Sequence, residues 1–345
     1  MYFTIEPKSR KEDLFNYEQE YQTIKRALRG QERIIVLVGV RRVGKTSLMN
    51  VIYNETRGLK LWIDGRIISS PKTEIPSAIY EVVKSGKDKI FGKIESLTFS
   101  LMGFGLEFKV NKRSILSLEE TIKNTSRITV FIDEAQRMNR MDLADILSYF
   151  YDRIPNVRFI LSGSEVGLLE EVLGENDTEH PLFGRKITKI VLNRLDPSQS
   201  KRYLKEGFKQ IKMKISEKEI DRVVDELDGL IGWLTLYGYE RGVLKNRRAL
   251  EKTKELAVRV VASELDRFLH RTKNRRLYIT IIRNANGLTW SELSSYVNRD
   301  MKKQVNPNSL NQALKRLLEY SFIIKKEDRY YRADPILLDA SFLVS

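Results

Sequence analysis

Five short, mostly apolar runs organise the first 192 residues: Ile34–Val38, Leu59–Asp64, Ile128–Ile132, Val157–Leu161 and Ile187–Leu192. They show little alternation, which fits strands covered on both faces, as in a parallel sheet. Between them, Asn16–Arg29, Ser47–Tyr53 and residues 72–95 carry helix-compatible patterns, with Pro76 placed near a helix start. Leu97–Val110 alternates in places around Gly103 and Gly105 and reads as a hairpin inserted in this unit. The pattern predicts an α/β fold with a parallel five-stranded sheet.

From Asn193 to His270 the pattern turns helical. Pro197 and Ser198 open one helix, and Ser216 with Glu219 forms the capping box of another. Asp228–Trp233 is a glycine-marked break, and Arg241–Arg259 is rich in basic residues. This segment reads as a helical lid subdomain. The last 75 residues differ again. Arg275–Asn284 fits a first helix, Thr289–Val297 a second with Thr289 as N-cap, and Asn306 with Pro307 starts a third running to Tyr320. The third carries an apolar stripe, Leu310, Ala313, Leu314, Leu317 and Leu318, and a polar face, Asn308, Asn311, Gln312, Lys315 and Arg316. Phe322–Lys326 and Arg329–Arg332 flank Glu327-Asp328 as a short hairpin. Three helices and a basic hairpin predict a winged helix-turn-helix. The expected divisions are 1–192, 193–270 and 271–345.

The first run leads into the chemistry. Gly39, Gly44, Lys45 and Thr46 stand in the spacing GxxxxGK[ST] between a strand and a helix, the context of a phosphate-binding P-loop. Gly39, Val40, Arg41, Arg42, Val43, Gly44, Lys45, Thr46 and Ser47 form the expected cradle for ATP or ADP. Backbone N–H groups of such a loop and the N-terminus of the next helix face the phosphates. Lys45 reaches the β and γ phosphates, and the Thr46 hydroxyl is placed to ligate Mg²⁺. Ile128–Ile132 ends in Asp133 and Glu134, a Walker B pattern that carries both carboxylates to the sheet's carboxyl edge. Asp133 is the second metal candidate, and Glu134 the general base for water. Ser162 and Ser164, at the tip of the fourth run, either sense the γ phosphate or form a turn. Arg185, on a loop before the fifth run, either offsets γ-phosphate charge or faces solvent. By position Phe15–Glu20 is similar to the segment that touches adenine in related ATPases, with packing on the core as the equal alternative.

Composition narrows the classes. The 345 residues are 41% hydrophobic and 31% charged, so the chain is globular. There is no cysteine and there are two histidines, which removes disulfides and thiolate metal sites and speaks against zinc. No apolar run reaches the length of a membrane span, and a cytoplasmic location is expected. The net charge of +15 suggests a polyanionic partner. Arg271–Ser345 holds 14 Lys+Arg against 7 Asp+Glu. Duplex DNA is the expected partner of 271–345, with docking of protein, or of the chain's own ATPase part, as the alternative.

With these pieces in place the chain resembles the archaeal ATPase family, in the STAND-like group related to AAA+ proteins and origin-recognition-type initiators. The resemblance rests on GVRRVGKTSL at Gly39–Leu48, WIDGR at Trp62–Arg66, VFIDEAQ at Val130–Gln136 and ILSGS at Ile160–Ser164. PLFGR at Pro181–Arg185, GLIGWL at Gly229–Leu234 and ADPIL at Ala333–Leu337 make it specific. The resemblance implies a five-stranded core of the ASCE type, with the Walker B strand not adjacent to the P-loop strand, a helical lid and a winged helix. It also implies ATP rather than GTP. Two positions depart from the family: Asn16-Tyr17 precede Glu18, and Leu230-Ile231-Gly232 lacks the family's proline. The expected function is a Mg²⁺-dependent ATPase acting as a slow nucleotide-controlled switch. The alternatives are a DNA-loading or remodelling ATPase and a non-catalytic ATP-binding adaptor. A homo-oligomer, with Arg185 acting in its own or a neighbour's site, is also open.

Overall fold

The computed structural model describes residues 1–86, 89–91, 120, 122, 125–174 and 177–344; the hairpin expected at Leu97–Val110 lies outside the described residues. The sheet is built from β1 (Ile34–Val38), β2 (Leu59–Asp64), β3 (Lys89–Phe91), β4 (Ile128–Asp133), β5 (Val157–Gly163) and β6 (Ile187–Val191). Every pairing is parallel, in the order β3-β2-β4-β5-β1-β6. The five expected strands are all there, and the short β3 extends the edge beside β2. One strand, β5, separates β4 from β1.

The continuous apolar runs now have their reason. Ile35 and Leu37 of β1 pack into one buried cluster, while Ile34, Val36 and Val38 pack into another on the opposite face. Both faces are covered, so no position in the strand is free to be polar. The registers Val38↔Gly163 and Asp64↔Asp133 align the strand tips along one edge. That edge collects the Gly39 loop, Asp64, Asp133 and Ser162–Ser164.

The helices mostly follow the pattern, with instructive differences. The helix expected over residues 72–95 spans Pro71–Ser85 and starts at Pro71, where the missing N–H is harmless; Pro76 lies inside it, buried. Ser216 caps the helix Glu217–Leu227 by accepting from the Glu219 N–H at 3.2 Å. The Glu219 carboxylate does not return to the cap. It takes the Tyr237 hydroxyl at 2.6 Å and Arg241 Nε at 2.8 Å. Thr289 and Glu292, in contrast, form both halves of a capping box.

The C-terminal module has helices at Arg275–Asn284, Trp290–Met301 and Pro307–Glu319. Its hairpin, β8 (Ile323–Lys326) and β9 (Arg329–Arg332), gains a third strand, β7 (Asn286–Thr289), on the far side of β9. A last helix, Leu337–Leu343, follows the ADPIL segment and packs on the helix Ala249–Leu269. One buried apolar cluster runs from Ile35 and Phe131 of the sheet, through Leu204, Trp233 and Leu265, to Leu277, Leu310 and Leu317. The segments after residue 192 therefore share a core with one face of the sheet.

Candidate nucleotide site

The loop after β1 enters the helix Lys45–Glu55 through Gly44 at φ 91°. A Cβ there would be strained and would also stand 3.2 Å from the Tyr17 ring. The Tyr17 hydroxyl donates to the Val43 carbonyl and holds the loop from behind. Lys45 is buried, and its Nζ donates to the carbonyls of Gly39 and Val40 at 2.8 Å each. Burial pushes the Lys45 ammonium down to about 8, against the pull of Glu134 and Asp133. An anion arriving beside it restores the solvation that burial removed.

Thr46 Oγ1 donates to Asp133 Oδ2 at 3.0 Å, and Ser162 donates to the other carboxylate oxygen. Burial raises the Asp133 carboxyl, opposed by the Ser162 bond. Two oxygens on neighbouring corners of a Mg²⁺ octahedron lie about 3 Å apart. The Thr46–Asp133 pair fits that demand, and both donors are hard oxygens. The Glu134 carboxylate accepts from Gln136 Nε2 at 2.6 Å and from Ser164 Oγ at 3.1 Å. The two serines divide the work: Ser162 fixes Asp133 and Ser164 fixes Glu134. Gly65 lets the exit of β2 lie against this turn. Its N–H donates to the Asp133 carbonyl at 2.7 Å, and a Cβ would meet the Glu134 carbonyl at 2.5 Å.

A cavity of about 880 Å³ opens beside these groups. Arg41, Arg42, Gly44, Lys45, Thr46, Ser47, Glu134 and Ser164 line it; Gly39, Val40 and Val43 stand behind. Phe15 and Tyr17 line it too, with Leu14, Tyr203, Ile231 and Leu236. Four cavity arginines escaped the sequence reading: Arg66, Arg137, Arg267 and Arg271. Arg66 and Arg137 had a signal, since each follows an acidic strand tip. Arg66 grips Asp64, with Nε at 2.8 Å from Oδ1.

Arg185 is not part of this site. It precedes β6, and Ile187 pairs with Ile34 at the start of β1, so the residue lies at the sheet edge opposite the P-loop. Its guanidinium takes Asp152 at 3.1 and 2.6 Å, bonds the Pro181 carbonyl and lies over the Tyr151 ring. It does not reach the cavity of its own chain.

The two loop arginines do more than fill the spacing. Arg41 donates to the Tyr320 carbonyl at 2.9 Å and to the buried Glu165 at 2.6 Å. Arg42 adopts φ 70° and its carbonyl accepts from Gly232 N–H at 2.9 Å. Its guanidinium lies 4.2 Å over the Trp233 ring, 2.7 Å from Glu264 and 3.4 Å from Asp334. Trp233 Nε1 also donates to Asp334, at 3.0 Å. The GLIGW and ADPIL segments thus meet at one P-loop side chain. Arg137 shares Glu165 with Arg41, at 2.9 Å, which links the Walker B turn to the same network.

Residues 14–236 match the model of an ATPase domain found predominantly in Archaea. Among solved structures, the Walker-type ATPase of Pyrococcus abyssi superposes with a TM-score of 0.79 at 27% identity, covering 99% of this chain and 100% of that one. The ORC2 protein of Aeropyrum pernix, in ADPNP–ADP complexes, gives a TM-score of 0.58 at 14% identity, over 96% and 94% of the two chains. Cdc6p of Pyrobaculum aerophilum gives 0.52 at 14% identity, over 99% and 96%. The last two likenesses are of fold alone. Among proteins of curated function, none matches the sequence.

Proposed function

The chain belongs to this ATPase family, predominantly archaeal, and from that premise we propose that it hydrolyses ATP with Mg²⁺ as a slow nucleotide-controlled switch that engages duplex DNA. The observation that carries this reading is the convergence of Lys45, Thr46, Asp133, Glu134 and Ser164 on one sheet edge. Lys45 and the loop amides bind the phosphate tail. Thr46 and Asp133 hold Mg²⁺, which when bound neutralises phosphate charge. Glu134 accepts the proton of the attacking water while Ser164 and Gln136 fix its carboxylate.

The switch reading draws support from Arg41 and Arg42. Phosphate oxygens compete with Glu165, Glu264 and Asp334 for the same guanidiniums. Any shift of either arginine is felt by the Tyr320 carbonyl and by Trp233. Turnover of the full-length protein, with and without Mg²⁺ and duplex DNA, tests the proposal. Mg²⁺-dependent hydrolysis is the expected result. Strong stimulation by DNA favours the remodelling reading, and turnover independent of Glu134 favours the adaptor. A role for Arg185 in a neighbouring subunit's site rests on mixing Arg185→Ala with Glu134→Gln protein, where rescued turnover supports it.

The C-terminal module is read as a winged helix that meets DNA mainly through phosphates. Of the six cations on the third helix and the hairpin, Lys315, Lys325, Lys326 and Arg329 are exposed. Arg316 lies over the Phe268 ring, and Arg332 is spent on the carbonyls of Ile282 and Arg283. Four phosphate contacts give a log–log salt slope near −3.6, at about −0.9 per contact. Lys325→Ala with Lys326→Ala should flatten it by about two and weaken all sequences alike. Fluorescence anisotropy across a salt series measures both. Asn308, Asn311 and Gln312 are exposed and remain the candidates for base contacts, although the Asn311 oxygen already takes Trp290 Nε1 at 2.7 Å. No binding at low salt moves the module to protein docking. That second reading has its own support, since the Ser321 hydroxyl already accepts from Val166 N–H at 3.0 Å.

A further inference from the structure

The edge of the sheet opposite the nucleotide site is where the parallel strands begin, and it is lined with cations. Residues 29–33, 56–58, 125–127, 151–158 and 185–186 lead into β1, β2, β4, β5 and β6. Together they hold seven arginines and Lys186 against two acids, Glu32 and Asp152. The backbone fixes the row. A Cβ on Gly58 would stand 2.9 Å from the Arg127 carbonyl. Ile128 N–H donates to the Asn156 carbonyl at 2.9 Å, and Phe159 N–H donates to the Arg33 carbonyl at 2.7 Å. In the order β2-β4-β5-β1-β6 the row crosses five strands. Four gaps of about 4.8 Å make it about 19 Å long.

Both acids already have partners. Glu32 takes Lys186 Nζ at 2.7 Å, and Asp152 takes Arg185. Arg33 lies 5.2 Å over the Tyr151 ring, which Arg185 also covers. Arg158 is buried, and its guanidinium donates to the carbonyls of Leu28 and Gly30. Burial, and then the charge of Arg127, push it down to about 10. Arg57, Arg127 and Arg153 are exposed, and no carboxylate among the described residues pairs with them. A helix C-terminus favours a cation, which accounts for Arg153, the last residue of the helix Arg140–Arg153. It does not account for Arg33, Arg127 and Lys186, each of which stands directly before a strand. Like charges gathered without partners weaken a fold, so the row calls for an anion from outside the chain.

We propose that this row is a contact for the backbone of duplex DNA, separate from the C-terminal module and blind to sequence, in which Arg57, Arg127 and Arg153 take phosphate oxygens. The proposal rests on the DNA reading of the chain, but it stands whether or not the module touches DNA. Seven of the eight cations are arginines, whose planar fork meets two oxygens of one phosphate. One strand of a duplex sets a phosphate about every 3.4 Å of axis, so a row of that length faces about five of them. A protein partner would want an apolar core to its interface, and these segments expose no large apolar side chain. The row lies at the edge away from Lys45, so its hold on DNA is the same with and without ATP.

The test follows the anisotropy of a labelled duplex of arbitrary sequence across a salt series, with the full-length protein. Three phosphate contacts add about −2.7 to the log–log salt slope, at about −0.9 each. Arg57→Ala, Arg127→Ala and Arg153→Ala together should remove that share, with ATP and without it. Arg57→Lys, Arg127→Lys and Arg153→Lys together should keep it, since the charge is retained. ATP affinity should stay within about twofold of the parent in both variants, which also shows that they are folded. Phenylglyoxal modification of the parent protein supplies a readout that needs no variant: duplex DNA should protect these three arginines, and polyglutamate at equal charge should not. An unchanged slope, beside one flattened by Lys325→Ala with Lys326→Ala, overturns the row and leaves the module as the DNA contact. Equal protection by polyglutamate, or none by DNA, overturns the row as well. A parent protein that binds no duplex at low salt overturns both.

Discussion

Glu134→Gln is expected to bind ATP as the parent protein does and to turn it over about 10²-fold more slowly or worse. The amide keeps the size and shape of the side chain. Its oxygen still accepts from Ser164 and Gln136, the two donors that fix the carboxylate. What it loses is the ability to take a proton from water. Binding and chemistry should therefore separate cleanly. A calorimetric titration reads the first, and release of labelled phosphate in a single turnover reads the second. Hydrolysis at a comparable rate would assign the base to another group. Asp133 would be a poor substitute, since Thr46 and Ser162 already occupy its two oxygens.

Lys45→Ala acts one step earlier. A charged hydrogen bond is worth about 1.5–3 kcal/mol, and Lys45 is placed to make one to each of two phosphates. Their loss together weakens ATP by about 10²- to 10⁴-fold. The substitution also leaves the Gly39 and Val40 carbonyls without the donor they share. Some loss of loop order is part of the expected effect, and the folded state is checked by its melting curve. Unchanged ATP affinity in a folded Lys45→Ala protein would remove the loop from nucleotide binding altogether.

The sequence disclosed those elements whose environment is uniform along their length. β1 is covered on both faces and its apolar run is unbroken, while β2, β4, β5 and β6 stay mostly apolar around Lys60, Thr129, Arg158 and Thr188-Lys189. β3 has three residues, too few for any pattern. β7 reads Asn-Gly-Leu-Thr and is a strand only because β9 pairs with it. The catalytic candidates next to the two Walker motifs were legible because their spacing along the chain fixes their place in space. Arg185 lies away from the cavity of its own chain for a reason the topology supplies. A loop that precedes a parallel strand lies at the edge opposite the loops that follow the strands, so proximity in a motif was no guide. The division between Ser162 and Ser164 needed the register of β5 against β4. The part played by Arg41 and Arg42 was hidden because their partners lie more than 120 residues away.

The continuity of the larger apolar cluster bears on how the molecule comes apart. Ile35 under the P-loop and Leu317 in the C-terminal module belong to one packed network, so the interior of the module is continuous with that of the sheet. Ligand at a hundred times its dissociation constant stabilises the form that binds it by about 2.7 kcal/mol. Where opening is global, every backbone amide in the network inherits that protection. The amides of Ile323 and Tyr330, in the distant hairpin, should then exchange their hydrogens for deuterium about 10²-fold more slowly once ATP fills the loop at Lys45. No atom of the hairpin has to touch the nucleotide for its amide clock to slow.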